Sequence, residues 1–252
     1  MSIEGKVVII TGSSRGIGFS TAKLFAEKHH CIVTLCSRDI KRSVRISKKI
    51  KGNVFPVQLD VTKKSEIKMV IKAVISKYGT IDVLINNAGF PFDKNIWYKK
   101  FHQIDENDFL NILNVDLMGS VRMSQAVIPV MLKNRNGGVI INISSTPAVS
   151  GYHQGAAYTL AKSGNIALTK HISREYGSNN IRSYTLALGN ISTEATYFSM
   201  NEKQRKIAEN ESPMKRWGRP EEVSTVAASL ASNDFSFATG NTILVDGGFV
   251  MI

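Results

Sequence analysis

The stretch "KVVIITGSSRGIGFSTAKLFAEK" (6–28) decides the fold. It opens with "KVVIIT" (6–11), an unbroken β-branched run of the kind found in strands buried on both faces. Gly12, Gly16 and Gly18 follow, and then Ile17, Leu24 and Phe25 recur at helical spacing. A glycine-rich turn between a strand and a helix lets the backbone approach a pyrophosphate, and the helix N-terminus stabilises its negative charge. The spacing is G-x-x-x-G-x-G rather than the commoner G-x-G-x-x-G, so its place between strand and helix carries more weight than the glycine count.

The same alternation continues outward along the chain. Strand-like runs at "CIVTLC" (31–36), "NVFPVQLDV" (53–61), "IDVLINNAG" (81–89), "GGVIINISS" (137–145), "IRSYTLALG" (181–189) and "GNTILVDGG" (240–248) are separated by helical patterns. The helices are expected over 39–51, 63–78, 105–134, 155–177 and 219–232. Repeated β-α units predict a doubly wound, Rossmann-type α/β sandwich: a parallel sheet of about seven strands with helices on both faces. No linker, repeat or low-complexity segment interrupts residues 1–252, so one domain is expected, with 193–216 as a polar, mobile lid over the substrate.

Composition narrows the possibilities. No apolar run approaches the ~20 residues of a membrane span. The N-terminus enters a strand at once without the layout of a signal peptide, so a cytoplasmic protein is expected. Cys31 and Cys36 sit on one strand, roughly 16 Å apart and facing opposite sides. A disulfide needs Cα atoms within about 7 Å, so both read as free core thiols. The 32 Lys and Arg against 20 Asp and Glu leave a formal charge of +12. Seven basic residues and one acid fall in "RDIKRSVRISKKIK" (38–51). No recognition motif or stacking aromatics accompany them, which argues against nucleic acid and for a solvated face or a phosphorylated cofactor.

The second strand ends at Ser37, followed by Arg38, where an acid would hold a ribose 2′-hydroxyl. With Arg15 in the glycine turn, two guanidiniums suit a 2′-phosphate, hence NADP(H), with NAD(H) as the lesser partner. Asp39 is expected to cap the next helix.

"GAAYTLAKSG" (155–164) places Tyr158 and Lys162 one helical turn apart. A neighbouring ammonium favours the phenolate, which turns a weak acid into a usable proton shuttle. Ser144 and Ser145 end the fifth strand at the edge where parallel sheets bind ligands. Asn114 stands mid-helix in "LNVDLMG", against its propensity.

These residues carry a resemblance. T-G-x-x-x-G-I-G at 11–18, L-D-V at 59–61, N-N-A-G at 86–89, "GRPEEV" at 218–223 and "TGNTILVDGG" at 239–248 resemble the short-chain dehydrogenase/reductase family over essentially the whole chain. Among its members the pattern is closest to 3-oxoacyl-acyl-carrier-protein reductases. The resemblance implies an Asn114–Ser145–Tyr158–Lys162 tetrad. Tyr158 would donate or accept the proton, Lys162 would tune it and hold the nicotinamide ribose, Ser145 would polarise the carbonyl, and Asn114 would hold a relay water. Gly12, Ser14, Arg15, Gly16, Ile17 and Gly18 would take the pyrophosphate, and Ser37 and Arg38 the adenosine ribose. Asp60 and Val61 would flank adenine, beside Asn87, Ala88 and Gly89. Gly189, Ile191 and Thr193 would meet the carboxamide. No metal is implied.

The resemblance also implies a homotetramer, or a dimer, paired through 105–134 and 155–177. Leu188 stands where the family usually has proline, which should soften that loop. The aromatics of 90–101 and "TPAVSGYHQG" (146–155) suggest an apolar substrate. His153 reads as a wall residue. A carrier-protein partner stays open: Arg135 lies near one suitable place, but "GSNNI" (177–181) lacks the arginine that such enzymes often carry. An NAD(P)-dependent alcohol or sugar dehydrogenase and a non-catalytic dinucleotide-binding regulator are the alternatives.

Overall fold

In the computed structural model, which describes residues 3–251, seven strands form one parallel sheet. The chain runs β1 (Val7–Ile10), α1 (Gly16–Glu27), β2 (Ile32–Ser37), α2 (Ile40–Ser47), β3 (Val54–Gln58), α3 (Lys64–Tyr78) and β4 (Val83–Asn86). It continues through α4 (Lys94–Trp97), α5 (Glu106–Asp116), α6 (Met118–Met131), β5 (Gly138–Ser145), α7 (Pro147–Ser150) and α8 (Ala156–Tyr176). The last elements are β6 (Ile181–Leu188), α9 (Glu202–Glu211), α10 (Pro220–Ala231) and β7 (Thr242–Val245). The strand order is β3-β2-β1-β4-β5-β6-β7, a doubly wound arrangement.

Apolar burial on both faces explains the unbroken strand runs. Along β1, Val8 and Ile10 join one core with Phe25, Leu35 and Val223. Val7 and Ile9 join the other with Leu84, Val127 and Ile140. Cys31 and Cys36 separate the same way, one into each core, and neither is oxidised.

Besides the short helices α4 and α7, which the sequence reading did not include, two segments depart from it. The single helix expected over 105–134 is broken at Leu117. The carbonyl of Asp116 is drawn toward the Nδ2 of Asn165 at 2.9 Å, and a side chain inserted into the ladder kinks a helix. The excursion expected over 193–216 holds α9, started by a capping box between Asn201 and Gln204. It is tied down by Asn190 Nδ2 to Ala208 O at 3.0 Å and by Trp217 Nε1 to Arg205 O at 3.1 Å.

Reversal of strand order between β1 and β4 opens a crevice at their C-terminal ends, the place where open α/β sheets bind ligands. The glycine turn, "NNAG", the paired serines and "LGN" leave the sheet on this one edge.

Candidate active site

Asn87 builds the phosphate-side wall. Its Nδ2 donates to the carbonyl oxygens of Thr11 and Gly12, at 2.9 and 3.1 Å. Thr11 Oγ1 accepts from the backbone N–H groups of Asn87 and Ala88. The strut leaves no room for side chains. A Cβ on Gly12 would lie 2.8 Å from Ala88 Cα, at a φ of +64°, and one on Gly18 would lie 2.5 Å from Asn87 Nδ2. The N-cap of α1, Arg15, makes no side-chain cap bond, and the first turn carries no acid. Uncapped N–H groups at a helix start, behind a turn stripped of side chains, fit a pyrophosphate.

The adenosine corner differs in detail from its sequence reading. Arg15 and Arg38 are exposed at the mouth. Ser37 is buried, and its Oγ is spent on Asp39 O and Ser43 Oγ, so this hydroxyl braces the strand end. Asp39 caps α2 as expected, accepting from Arg42 N at 2.9 Å. Arg42 itself is a further cation at this corner. Its Nε donates to Ser14 O at 3.3 Å and its Nη2 pairs with Glu194 at 3.4 Å. The helical periodicity of "RDIKRSVR" could have found it. Burial pushes the Asp60 carboxyl upward, but hydrogen bonds from Thr62 N and Oγ1, with Lys63 and Arg38, hold it below the usual carboxylate range. Val61 is buried against Gly119. Gly89 leaves space for Asp116, whose Oδ1 would stand 3.0 Å from a Cβ there.

On the other side, Gly189 packs against Asp246, 2.7 Å from a Cβ built on it. Ile191 is buried and bridges to Gly218. Thr193 reaches Gly16, so the loop after β6 closes over the start of α1.

Strand alternation separates the paired serines. Ser144 is buried, with Oγ donating to Lys162 O at 2.9 Å. Ser145 lines a cavity of about 500 Å³, its Oγ donating to Leu188 O at 3.2 Å. Tyr158 lines the same cavity. The Trp97 ring lies 5.6 Å from the Tyr158 ring, and Phe92 and Tyr152 pack on Trp97 in turn. Trp97 is pinned by Nε1 to Gln154 Oε1 at 3.1 Å and fits where Gly155 has no Cβ. Of the aromatics in 90–101, Phe90, Phe92, Trp97 and Tyr98 line the cavity, whereas Phe101 is exposed outside it, and the segment carries α4.

Lys162 Nζ lies 5.5 Å from the centre of the Tyr158 ring. It donates to Ile143 O at 3.2 Å and pairs with Asp116 Oδ1 at 3.1 Å.

The expectation for Asn114 is not met. Its Oδ1 and carbonyl oxygen accept from Arg122, at 2.7 and 3.1 Å, which turns it away from Lys162. Asp116 occupies the place beside the lysine. Two positions along a helix differ by about 200° around its axis, so Asn114 and Asp116 face nearly opposite ways.

A parallel sheet with this order, a glycine turn at its switch point and a Ser–Tyr pair facing an apolar cavity with a lysine buried behind the tyrosine define an oxidoreductase that uses a nicotinamide dinucleotide. The chain belongs to the short-chain dehydrogenase/reductase family, whose members act on CH–OH and C=O groups. The family model described as "Enoyl-(Acyl carrier protein) reductase" matches residues 12–250. The chain is 38% identical over 253 residues to a 3-oxoacyl-(acyl-carrier-protein) reductase FabG of Thermotoga maritima, with 100% of both chains covered. It is 34% identical to a 7alpha-hydroxysteroid dehydrogenase of Bacteroides fragilis, covering 98% of this chain and 95% of that one. The crystal structure of gox2181 superposes with a TM-score of 0.91 at 27% identity, covering 98% and 96% of the two chains.

Proposed function

We propose that the protein is an NADPH-dependent reductase that converts a ketone to a secondary alcohol, with Tyr158 as proton donor. The observation that carries this is the meeting of Ser145 and Tyr158 on one apolar cavity, with the buried Lys162 behind the Tyr158 ring. A bound nicotinamide would supply the hydride. Ser145 turns its single hydroxyl proton from Leu188 O to the carbonyl oxygen and fixes its position. Tyr158 passes its proton to that oxygen as negative charge builds there. Lys162 keeps a positive charge behind the phenol, held by the floor of the site.

The preference for NADP(H) is supported by Arg15, Arg38 and Arg42 around a strand tip that lacks a carboxylate. Guanidinium pairs well with a phosphate dianion, and NAD(H) would bind there without that gain. The substrate we infer is a 3-oxoacyl thioester or another ketone with a substantial apolar body. The names of the relatives and the Phe92–Trp97–Tyr152 wall support it. The same residues serve the reverse oxidation, and the steroid dehydrogenase relative favours that second reading.

Exposed Leu110, Met118 and Leu160 on the helices expected to pair support a homodimer or homotetramer, which light scattering would show as a multiple of the 27.7 kDa chain.

The test is a panel of acetoacetyl thioesters, quinones, steroids and sugars with NADPH and NADH, followed by the absorbance of the reduced nicotinamide. Turnover with NADPH is expected, and Tyr158→Phe should lower kcat by about 10²- to 10⁴-fold while cofactor binding survives. Binding without turnover across the panel would point to a dinucleotide-binding regulator instead.

A further inference from the structure

Lys162 has a partner that this chemistry does not require. Both side chains of the Lys162–Asp116 pair are out of solvent, 6% and 1% exposed. Asp116 also accepts from the backbone N–H of Phe90, at 3.3 and 3.4 Å from its two oxygens. One carboxylate thus joins the end of α5, the lysine of α8 and the loop leaving β4. An ammonium has three N–H groups. Asp116 and Ile143 O engage two of them, which leaves one for the phenol side of the site or a ribose hydroxyl.

Burial alone would push Lys162 toward its neutral form. Burial is the largest single effect, but the Asp116 charge and hydrogen bond together with Tyr158 more than offset it and hold the lysine above its ordinary range, so the ammonium stays charged. The same carboxylate faces the other way in its effect on the cavity. An ion pair presents the phenol with a dipole, where a lone ammonium would present a full positive charge. An asparagine amide at this position would accept a hydrogen bond from Nζ and cancel none of its charge.

We propose that Asp116 is a positioning residue that fixes Lys162 and offsets its charge, so that Tyr158 remains a proton donor to higher pH than it would opposite an amide, biasing the site toward reduction. The proposal rests on the reading of Tyr158 given above. Among the described residues, Asp116 is the sole carboxylate in ion-pair reach of Lys162. The other titratable groups around the cavity are Asp93, Lys94, Tyr98, Tyr152, Glu211, Arg216 and Asp246, which line its walls on other elements. They are unchanged by a substitution at 116.

The decisive comparison is wild type against Asp116→Asn, each beside a companion that also carries Tyr158→Phe. Tyrosinate absorbance of each protein minus its companion isolates ionisation at position 158 and needs no substrate. Asp116→Asn should lower that midpoint by about one pH unit. The pH at which reductase turnover falls to half should move down with it. Asp116→Ser, which removes the charge with a smaller group, should shift both in the same direction and covers the case in which one variant fails to fold. A midpoint that stays put or rises in both variants overturns the proposal, even if turnover is lost at every pH, because that marks a structural role alone. A shifted midpoint in proteins that turn over no ketone supports the role of Asp116 and counts against the reductase reading instead.

Discussion

Ser144 and Ser145 are adjacent and chemically identical, yet they do opposite work. The pleat sends Ser144 inward to hold the backbone of Lys162 and sends Ser145 to the cavity. Ser145→Ala should reduce kcat/KM about 10²-fold, as loss of one donor to a developing oxyanion does, with little change in stability. Ser144→Ala should cost about 1 kcal/mol in denaturant unfolding with cofactor affinity retained. At the adenosine corner, Arg42→Ala should raise the KM for NADPH roughly tenfold and leave that for NADH nearly unchanged, since a charge-assisted bond contributes about 1.5–3 kcal/mol. Equal losses with both cofactors would place Arg42 with the fold rather than the phosphate. At this scale Tyr158 and Lys162 were legible in sequence because their spacing is local to one helix. Asp116 was not. Asn114 has the expected chemistry, and only the helix axis shows that it points at Arg122 instead of Lys162.

Among elements, the glycine turn and the N-terminus of α10 depend on close backbone geometry. A methyl group at Gly18 meets Asn87 Nδ2 at 2.5 Å and Gly12 O at 2.7 Å, so Gly18→Ala must displace the strut that shapes the turn. Loss of at least tenfold in cofactor affinity is expected, with about 1–3 kcal/mol of stability, measurable by fluorescence titration and urea unfolding. At α10, Glu222 is held down to about 2 by the Arg216 guanidinium and the Arg219 N–H. Its folded value lies below its unfolded one, so its stabilising effect is complete above the ordinary carboxylate range and is lost as pH falls toward 2. The gap in urea midpoint between wild type and Glu222→Gln should therefore be widest near neutrality and close as the solution is acidified. Element identity was legible from periodicity, but the break at Leu117 and the capped helix α9 were not. The first depends on Asn165 reaching across from α8, and the second is a polar helix held by the cavity rim.

Over the whole molecule, two apolar cores separated by the sheet protect the thiols: burial pushes Cys31 up to about 12 and Cys36 further still. Neither should react with a disulfide reagent at mildly alkaline pH until the protein unfolds, so the reaction should follow the denaturant transition. Early reaction of either thiol would show that one core opens locally. The parallel sheet and the helices on both its faces follow from buried strands alternating with helices, because right-handed crossovers leave few ways to join them. Those features, with the glycine turn and the Tyr–Lys turn of helix, were determined by the sequence alone, since each is written in local pattern, whereas the strand order pairs residues as distant as Val8 and Val83. Which residue stands behind Lys162, that Arg42 reaches over the phosphate turn, and that Trp97 lies on Tyr158 were decided only by the tertiary structure. Each is a meeting of segments far apart in the chain, and its direction is set by helix rotation and packing, which local spacing does not encode.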